Sequence, residues 1–510
     1  MGKGPGYPGP KKEKPKKKGI SESCLTYLHH HRKTEEVNFA KTLFLNPPSW
    51  DGFDGGAGSR YQARREIRSF WYPTWLAQPA ALIPGSRLVD APPAGLNRDD
   101  VLRIARDYEL VFIHTSSPTL RGDATLAEAL KSQKPDIRIG FLGAHAAVLP
   151  EQTLAASEAI DFVCRKEFDY TCQEIATGRP LAQINGVSYR DANGKIVHTP
   201  ERPLIHDFDA LPSVMDVYKR DLAPEHYVIG YLKHPYISHY TGRGCPAQCT
   251  FCLWPQTVGG HSYRAKSPEA VEREMAHARA LFPQVKEFFF DDDTFTAIAP
   301  RAREIAKRLG RLGIEWSCNA RANVSYETLK VMRDNGLRLL LVGYESGNQQ
   351  ILDNIKKGIR LEQAREFTRH CKELGITIHG TFILGLPGET HETIRQTIEF
   401  AKEMDPHSLQ VSLAAPYPGT ELYRQALENG WFSESISLTD RHGQQTAVLE
   451  YEGLSREEIF AYVEQFYKKF YFRPRPIVRM LKEMIADRQV FQRRLREGAE
   501  FFHFLRSRNR

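Results

Sequence analysis

Cys245, Cys249 and Cys252 are the residues of this 510-residue chain best able to do chemistry. They lie in the stretch Thr241-Gly-Arg-Gly-Cys245-Pro-Ala-Gln-Cys249-Thr-Phe-Cys252, separated by three residues and then by two, with no fourth cysteine close behind. A cubane iron–sulfur cluster normally takes one thiolate per iron, so a local set of three leaves one iron open to another ligand. Gly242, Gly244 and Pro246 disfavour regular helix, which predicts a loop able to wrap a cluster. The competing readings are three unrelated thiols, or a zinc site completed by His234, His239 or His261, although this spacing serves a tetrahedral four-ligand site poorly.

The elements that must position the loop read as strands alternating with helices. Apolar runs at 236–240, 285–290, 314–318, 338–342, 376–383 and 408–413 predict strands, and 268–281, 300–312, 325–335, 361–374 and 391–404 predict helices. Six such units make a partial (β/α)6 barrel, smaller than the closed eight-unit form. Barrel enzymes carry their chemistry at the carboxyl ends of the strands, and the cysteine loop follows the first of them. The second strand ends in Asp291, Asp292 and Asp293; a solvated rim is the default reading of three adjacent carboxylates, with contact to a cofactor or a substrate hydroxyl as the alternative. Glu345 and Ser346 follow the fourth strand, where Ser346 also suits a turn cap. After the fifth strand, Gly385 and Gly388 allow positive φ and a close approach of backbone to a ligand.

Ahead of the barrel, strands at 41–46, 86–89, 110–114, 138–142 and 159–164, with helices such as 98–108 and 125–133 between them, predict a doubly wound, Rossmann-like parallel sheet. Ligands bind such sheets at the strand carboxyl ends, which here carry Asn46, Thr115, Ser116 and Gly143, small or polar residues suited to a large planar cofactor. Gly55-Gly56-Ala57-Gly58-Ser59 is a weak phosphate-loop lookalike. Residues 184–197 read as a hairpin turning at Asn193-Gly194. The expected α/β plan is therefore a basic extension at 1–36, a sheet domain at 40–182, a hairpin and linker at 183–230, the barrel at 231–430 and a helical region at 431–510.

Charge is concentrated at the ends. Residues 1–34 and 470–510 each carry a net +7 in a chain of net +8, so the body between them is mildly acidic. That distribution fits contact of a terminus with an anionic surface better than a nucleic-acid groove. The stretch 477–505 has apolar residues at helical spacing among Arg and Lys, a pattern that packs on its own domain or lies on a membrane surface. No run of 18 apolar residues and no secretory signal is present, and the other cysteines are scattered, so a reducing cytoplasm is expected.

The pattern Cys245-x-x-x-Cys249-x-Phe251-Cys252, with an aromatic before the last cysteine, resembles the signature of radical S-adenosylmethionine (SAM) enzymes. The resemblance implies a 4Fe-4S cluster on the three cysteines, SAM chelating the fourth iron, and reductive cleavage to a 5'-deoxyadenosyl radical that abstracts hydrogen. It further implies Phe251 beside the adenine or cluster, Glu345 and Ser346 at the ribose and methionine parts of SAM, Arg321 at its carboxylate, and the Gly385 and Gly388 loop around adenine. The preceding sheet is similar to the cobalamin-binding domain of one branch of these enzymes, and Cys164-Arg165-Lys166-Glu167 is similar to the loop that closes it. No Asp-x-His-x-x-Gly motif is present, so His145 is not read as a cobalt ligand, and cobalamin stands as a third candidate cofactor. Over 41–475 the wording looks most like the hopanoid-biosynthesis-associated radical SAM proteins, carried by Lys41-Thr-Leu-Phe-Leu-Asn46-Pro-Pro-Ser-Trp50 and Ile67-Arg-Ser-Phe-Trp71-Tyr-Pro-Thr-Trp75.

That likeness implies contraction of an amino-sugar head group to a cyclitol ether on a lipid-linked hopanoid. It also implies a flavodoxin or ferredoxin as electron donor, a cytoplasmic location peripheral to the inner membrane, and no nucleic-acid partner. Cobalamin-dependent radical methyl transfer is the alternative reaction, and a zinc- or nucleic-acid-binding module without catalysis is the alternative of another class.

Overall fold

Two parallel sheets follow one another along the chain. A computed structural model describes residues 38–50, 69–432, 446–486, 490–492, 495–496 and 498–499. The basic extension at 1–36, the run Gly55 to Ser59 and the end of the amphipathic stretch lie outside the described residues.

The first sheet has seven strands in the order β2-β1-β3-β4-β5-β6-β7. Its parallel part is β1 (Thr42–Asn46), β2 (Arg87–Asp90), β3 (Leu110–His114), β4 (Arg138–Leu142) and β5 (Phe162–Cys164). Continuous apolar runs make these strands, and β1 and β3 are buried at every position, as a sheet covered on both faces requires. The Asn193-Gly194 hairpin forms β6 (Val187–Arg190) and β7 (Ile196–His198); rather than standing as a separate connector, it continues the sheet as an antiparallel edge. The helix Thr74–Leu82 was not legible, since Pro79 inside it argues for a break.

The second sheet has six strands in the order β15-β14-β13-β12-β11-β8, all parallel, and forms a half-barrel. They are β8 (Tyr236–His239), β11 (Glu287–Phe290), β12 (Trp316–Arg321), β13 (Leu337–Glu345), β14 (Thr377–Leu384) and β15 (Ser408–Leu413), with β9 (Gly242–Arg243) and β10 (Arg264–Ala265) as a small antiparallel pair after the first. Three of these strands, β8, β12 and β14, are followed by helices with capped starts: Ser267, Ser325 and Thr390 accept backbone N–H groups at the heads of Pro268–Leu281, Tyr326–Asp334 and His391–Met404. In Ala299–Leu312, Ala302, Ile305, Ala306 and Leu309 recur at helical spacing and are buried, and Gly313 ends the helix at φ 63°.

One apolar core runs through both sheets, from Phe44 and Phe112 through Tyr72, Tyr218 and Tyr227 to Phe289 and Trp316. Tyr72 stacks on Tyr227 at 3.9 Å and donates its hydroxyl to the Tyr236 carbonyl at 2.8 Å, fastening the first barrel strand to the preceding sheet.

The helix Arg456–Tyr471 covers the edge strand β15, where Tyr467 and Tyr471 hydroxyls accept the N–H groups of Val411 and Leu409. The helix after it, Pro474–Ala486, leaves Ile477, Val478, Leu481 and Ile485 exposed, Ile485 at 86%. Among the described residues no helix is long and apolar enough to cross a membrane.

Candidate active site

The cysteine loop is held at its base, its middle and its far end. At the base, β9 pairs with β10, and Gly244 takes φ +87° where a Cβ would stand 2.3 Å from the Ser262 carbonyl oxygen. In the middle, His261 donates from Nδ1 to the carbonyls of Cys245 (3.2 Å) and Ala247 (3.0 Å). At the far end, the Gln256 amide donates to the carbonyls of Cys249, Thr250 and Cys252, while the Glu421 N–H donates to Gln256 at 2.8 Å. Thr250 is bonded on both sides, its N–H to the Ile355 carbonyl and its carbonyl to the Leu422 N–H.

Cys245 and Cys249 are buried and Cys252 half-buried. Burial pushes the Cys245 and Cys252 thiols up, so the protein alone does not hold them as thiolates; a bound metal centre would supply the compensating charge, and three thiols as donors suit an iron–sulfur cluster. The three histidines of the zinc reading are engaged elsewhere: His239 pairs with Glu274 at 3.0 Å, His234 meets the Tyr227 carbonyl, and His261 braces the loop backbone.

A polar cluster borders the cysteines. Arg321, at the end of β12, points Nη1 at Cys249 Sγ (3.8 Å) and donates Nη2 to the Lys357 carbonyl. Lys357 Nζ in turn pairs with Glu345 at 2.7 Å, both side chains under 10% exposed. Glu345 sits at φ 64° beside a register shift between β13 and β14, and this bulge re-aims its carboxylate. Ser346 serves the turn instead: its hydroxyl accepts the Asn348 N–H and touches Thr397.

The solvated-rim reading of the three aspartates is overturned, because each finds partners inside. Asp292 accepts Thr241 N–H, Thr241 hydroxyl and Tyr263 hydroxyl, all at 2.6 Å, and Asp291 accepts from Asn319 at 3.0 Å. Asp293 accepts Gly244 N–H at 2.8 Å and faces a cleft; burial, against that hydrogen bond and with Asp292 nearby, raises its carboxyl to about 6. The cleft is partly open and is lined by Trp75, Phe168, Tyr240, Arg243 and Trp254 besides Asp293.

Phe251 packs into the apolar cluster that holds Leu386, so the aromatic before the last cysteine and the glycine loop do come together. Gly385 and Gly388 take φ +86° and +85°, and the Gly385 carbonyl accepts the Tyr451 hydroxyl at 2.8 Å. Glu389 accepts the N–H groups of Gly385 and Leu386, yet burial raises it from 4.5 to about 8. Between those values the folded chain keeps a proton the unfolded chain has lost, so this group lowers stability as pH rises, by at most ~1.4 kcal/mol per unit. Glu389→Gln is expected to flatten that part of the stability profile, measured by urea unfolding from pH 5 to 8; an unchanged slope rejects the assignment.

At the carboxyl edge of the first sheet, Asn46 donates to Asp90 (2.7 Å), Thr115 to Asp123 (2.8 Å), and Ser116 contacts Thr119. These side chains shape their own loops, while Gly143 at φ +119° keeps the edge open beside His114. Trp75 Nε1, His114 Nε2 and His145 Nε2 are buried there with no hydrogen-bond partner, and Trp75 packs on both His114 and Trp254. Burial lowers both imidazoles to about 4, so they stand neutral. Three orphaned ring nitrogens at this edge, one of them on the Trp75 ring that lines the cleft, suit a large polar cofactor. Gln256, Lys357 and Asp169 were missed by sequence reasoning, since none lies in a recognisable motif or at a fixed spacing from the cysteines, whereas Glu167 was marked only as part of the loop that closes the first sheet.

A half-barrel with three cysteine thiols on the loop after its first strand, polar groups around them and the seven-stranded sheet abutting the mouth defines an α/β enzyme. A family model described as the radical SAM superfamily matches residues 240–401. An uncharacterized methyltransferase of Pyrococcus horikoshii is 31% identical over 415 residues, which cover 78% of this chain and 86% of that protein. The hopanoid C-3 methylase of Methylococcus capsulatus is 28% identical over 62% of this chain and 58% of its own. The structure of OxsB, a cobalamin-dependent SAM radical enzyme with aqua-cobalamin and SAM bound, matches with a TM-score of 0.64 at 16% identity, over 91% of this chain and 72% of that one, and thus shares the fold. This chain belongs to the radical SAM superfamily.

Proposed function

We propose that the chain is a cobalamin-dependent radical SAM methyltransferase. The observation that carries this is the pairing of a three-cysteine loop with the first sheet, whose carboxyl edge holds the orphaned nitrogens of Trp75, His114 and His145. Relatives named as a methyltransferase and a methylase support methyl transfer ahead of ring contraction. When bound, the cluster, SAM and cobalamin supply one-electron C–S cleavage and a methyl carrier. Cys245, Cys249 and Cys252 would hold the cluster; Glu345, Arg321, Asp293, Phe251 and the Gly385–Gly388 backbone would hold SAM; Gly143 and the orphaned rings would meet cobalamin. The chain's own residues orient the reactants and keep water out. Trp75, Phe168 and Trp254 give the cleft an apolar wall, with the Asp293 carboxylate among its polar groups.

The test is product analysis on anaerobically reconstituted protein given SAM, hydroxocobalamin, a reductant and a bacterial lipid extract as the source of acceptor. Methyl transfer yields S-adenosylhomocysteine together with 5'-deoxyadenosine, and formation of 5'-deoxyadenosine alone rejects it in favour of ring contraction. The hopanoid substrate is a second reading, favoured by the methylase relative and by the exposed apolar ridge Ile477, Val478, Leu481 and Ile485, which suits a cytoplasmic enzyme resting on a membrane. A flavodoxin or ferredoxin would be its reductant. Deleting the gene in a hopanoid producer is expected to change the head-group or methylation profile by mass spectrometry; an unchanged profile removes hopanoids as substrate.

A further inference from the structure

The loop that follows β5 carries two carboxylates that reach across to the base of the cysteine loop. Glu167 receives both terminal nitrogens of Arg264, each at 2.8 Å, and the Ile205 N–H at 2.7 Å. Asp169 receives both terminal nitrogens of Arg243, at 2.6 and 3.0 Å, and Arg243 also lies 3.8 Å from Glu167. Arg243 and Arg264 are the facing residues of the β9–β10 pair that closes the cysteine loop, and Arg243 stands two residues before Cys245. Arg264 further donates to the Ile205 and Gly259 carbonyls, and both guanidinium groups lie over the Phe208 ring at 5.5–5.7 Å. All four charged side chains are at most 19% exposed.

Two planar forks matched to two carboxylates give a neutral, buried unit whose geometry is set at both ends. Its halves come from different sheets, so the spacing of the hairpin strands depends on where the first sheet places residues 167–169. We propose that Glu167 and Asp169 are positioning residues for the cysteine loop, holding it closed and balancing the Arg243 charge beside the cluster. This rests on the reading that Cys245, Cys249 and Cys252 hold an iron–sulfur cluster.

Asp169→Asn in the full-length protein leaves the Arg243 charge uncompensated near the cluster. A positive charge favours the reduced, more negative cluster, so the reduction midpoint is expected to move positive by about 59 mV, a tenfold change in a one-electron equilibrium. In metal-free protein, alkylation of Cys245, Cys249 and Cys252 is expected to run about tenfold faster as the loop opens. Asp169→Glu is expected to restore both readings towards wild type. Arg243→Lys keeps the charge but loses the fork, so alkylation accelerates with little change in midpoint. Wild-type midpoint and wild-type alkylation in Asp169→Asn overturn the proposal. Should Asp169→Asn not fold, Arg243→Lys decides it through the alkylation rate alone. A wild-type protein that takes no cluster instead defeats the reading of the cysteines, while the alkylation rates still report on the clamp.

Discussion

A Cys249→Ala protein reconstituted without oxygen is expected to lose the cluster absorption and all 5'-deoxyadenosine formation. Cys249 is the middle donor of the triplet, 6% exposed, with Arg321 at 3.8 Å from its sulfur. Two thiolates are too few to retain a cubane whose remaining iron already lacks a protein ligand. The loss in cleavage rate should reach at least about a thousandfold, or ~4 kcal/mol. Cys371→Ala supplies the control, since that thiol is buried between a helix and the half-barrel, away from the loop, and should leave the cluster intact. Retained SAM cleavage in the Cys249 variant, with iron content near that of wild type, would falsify the assignment.

Gly244→Ala is expected to be nearly as damaging, although it changes no ligand. At φ +87° an alanine there meets left-handed strain, roughly 1–2 kcal/mol, and its Cβ falls 2.3 Å from the Ser262 carbonyl and 3.0 Å from those of Gly259 and Gly260. These are backbone atoms of the hairpin, which cannot swing aside as a side chain can. The loop must therefore open, taking Cys245 out of register with its partners. Iron bound after reconstitution is expected to drop about tenfold while the far-ultraviolet circular dichroism stays near wild type. Gly85→Ala has the same sign of φ but open space around its Cβ, so it tests strain without collision and should keep its iron. Full cluster loading in Gly244→Ala would show that the loop tolerates the wider turn.

Much of this arrangement was legible. Cys245, Cys249 and Cys252 announced the loop through spacing, and apolar runs announced the six strands of the half-barrel. The glycine loop at Gly385 was readable because only a few residue types suit its backbone. Asp291 to Asp293 were misjudged for a physical reason: three adjacent carboxylates favour solvent unless donors from distant segments surround them, and Thr241, Tyr263 and Asn319 lie 28–51 residues away in the chain. Ser346 was equally ambiguous, and its neighbours Thr397 and Asn348 decide that its hydroxyl serves the turn.

By itself, the sequence determined the local chemistry: which thiols stand together, which runs form strands, where the caps and turns lie. These follow from interactions within a few residues, for which spacing is sufficient information. Only the tertiary structure decided which charges meet. Glu167 finds Arg264 from 97 residues away, Asp169 finds Arg243 from 74, and neither pairing leaves a periodic trace because an ion pair between two sheets depends on how they pack. The neutral burial of His114 and His145 has the same origin, since desolvation is a property of everything that surrounds a ring rather than of its neighbours along the chain.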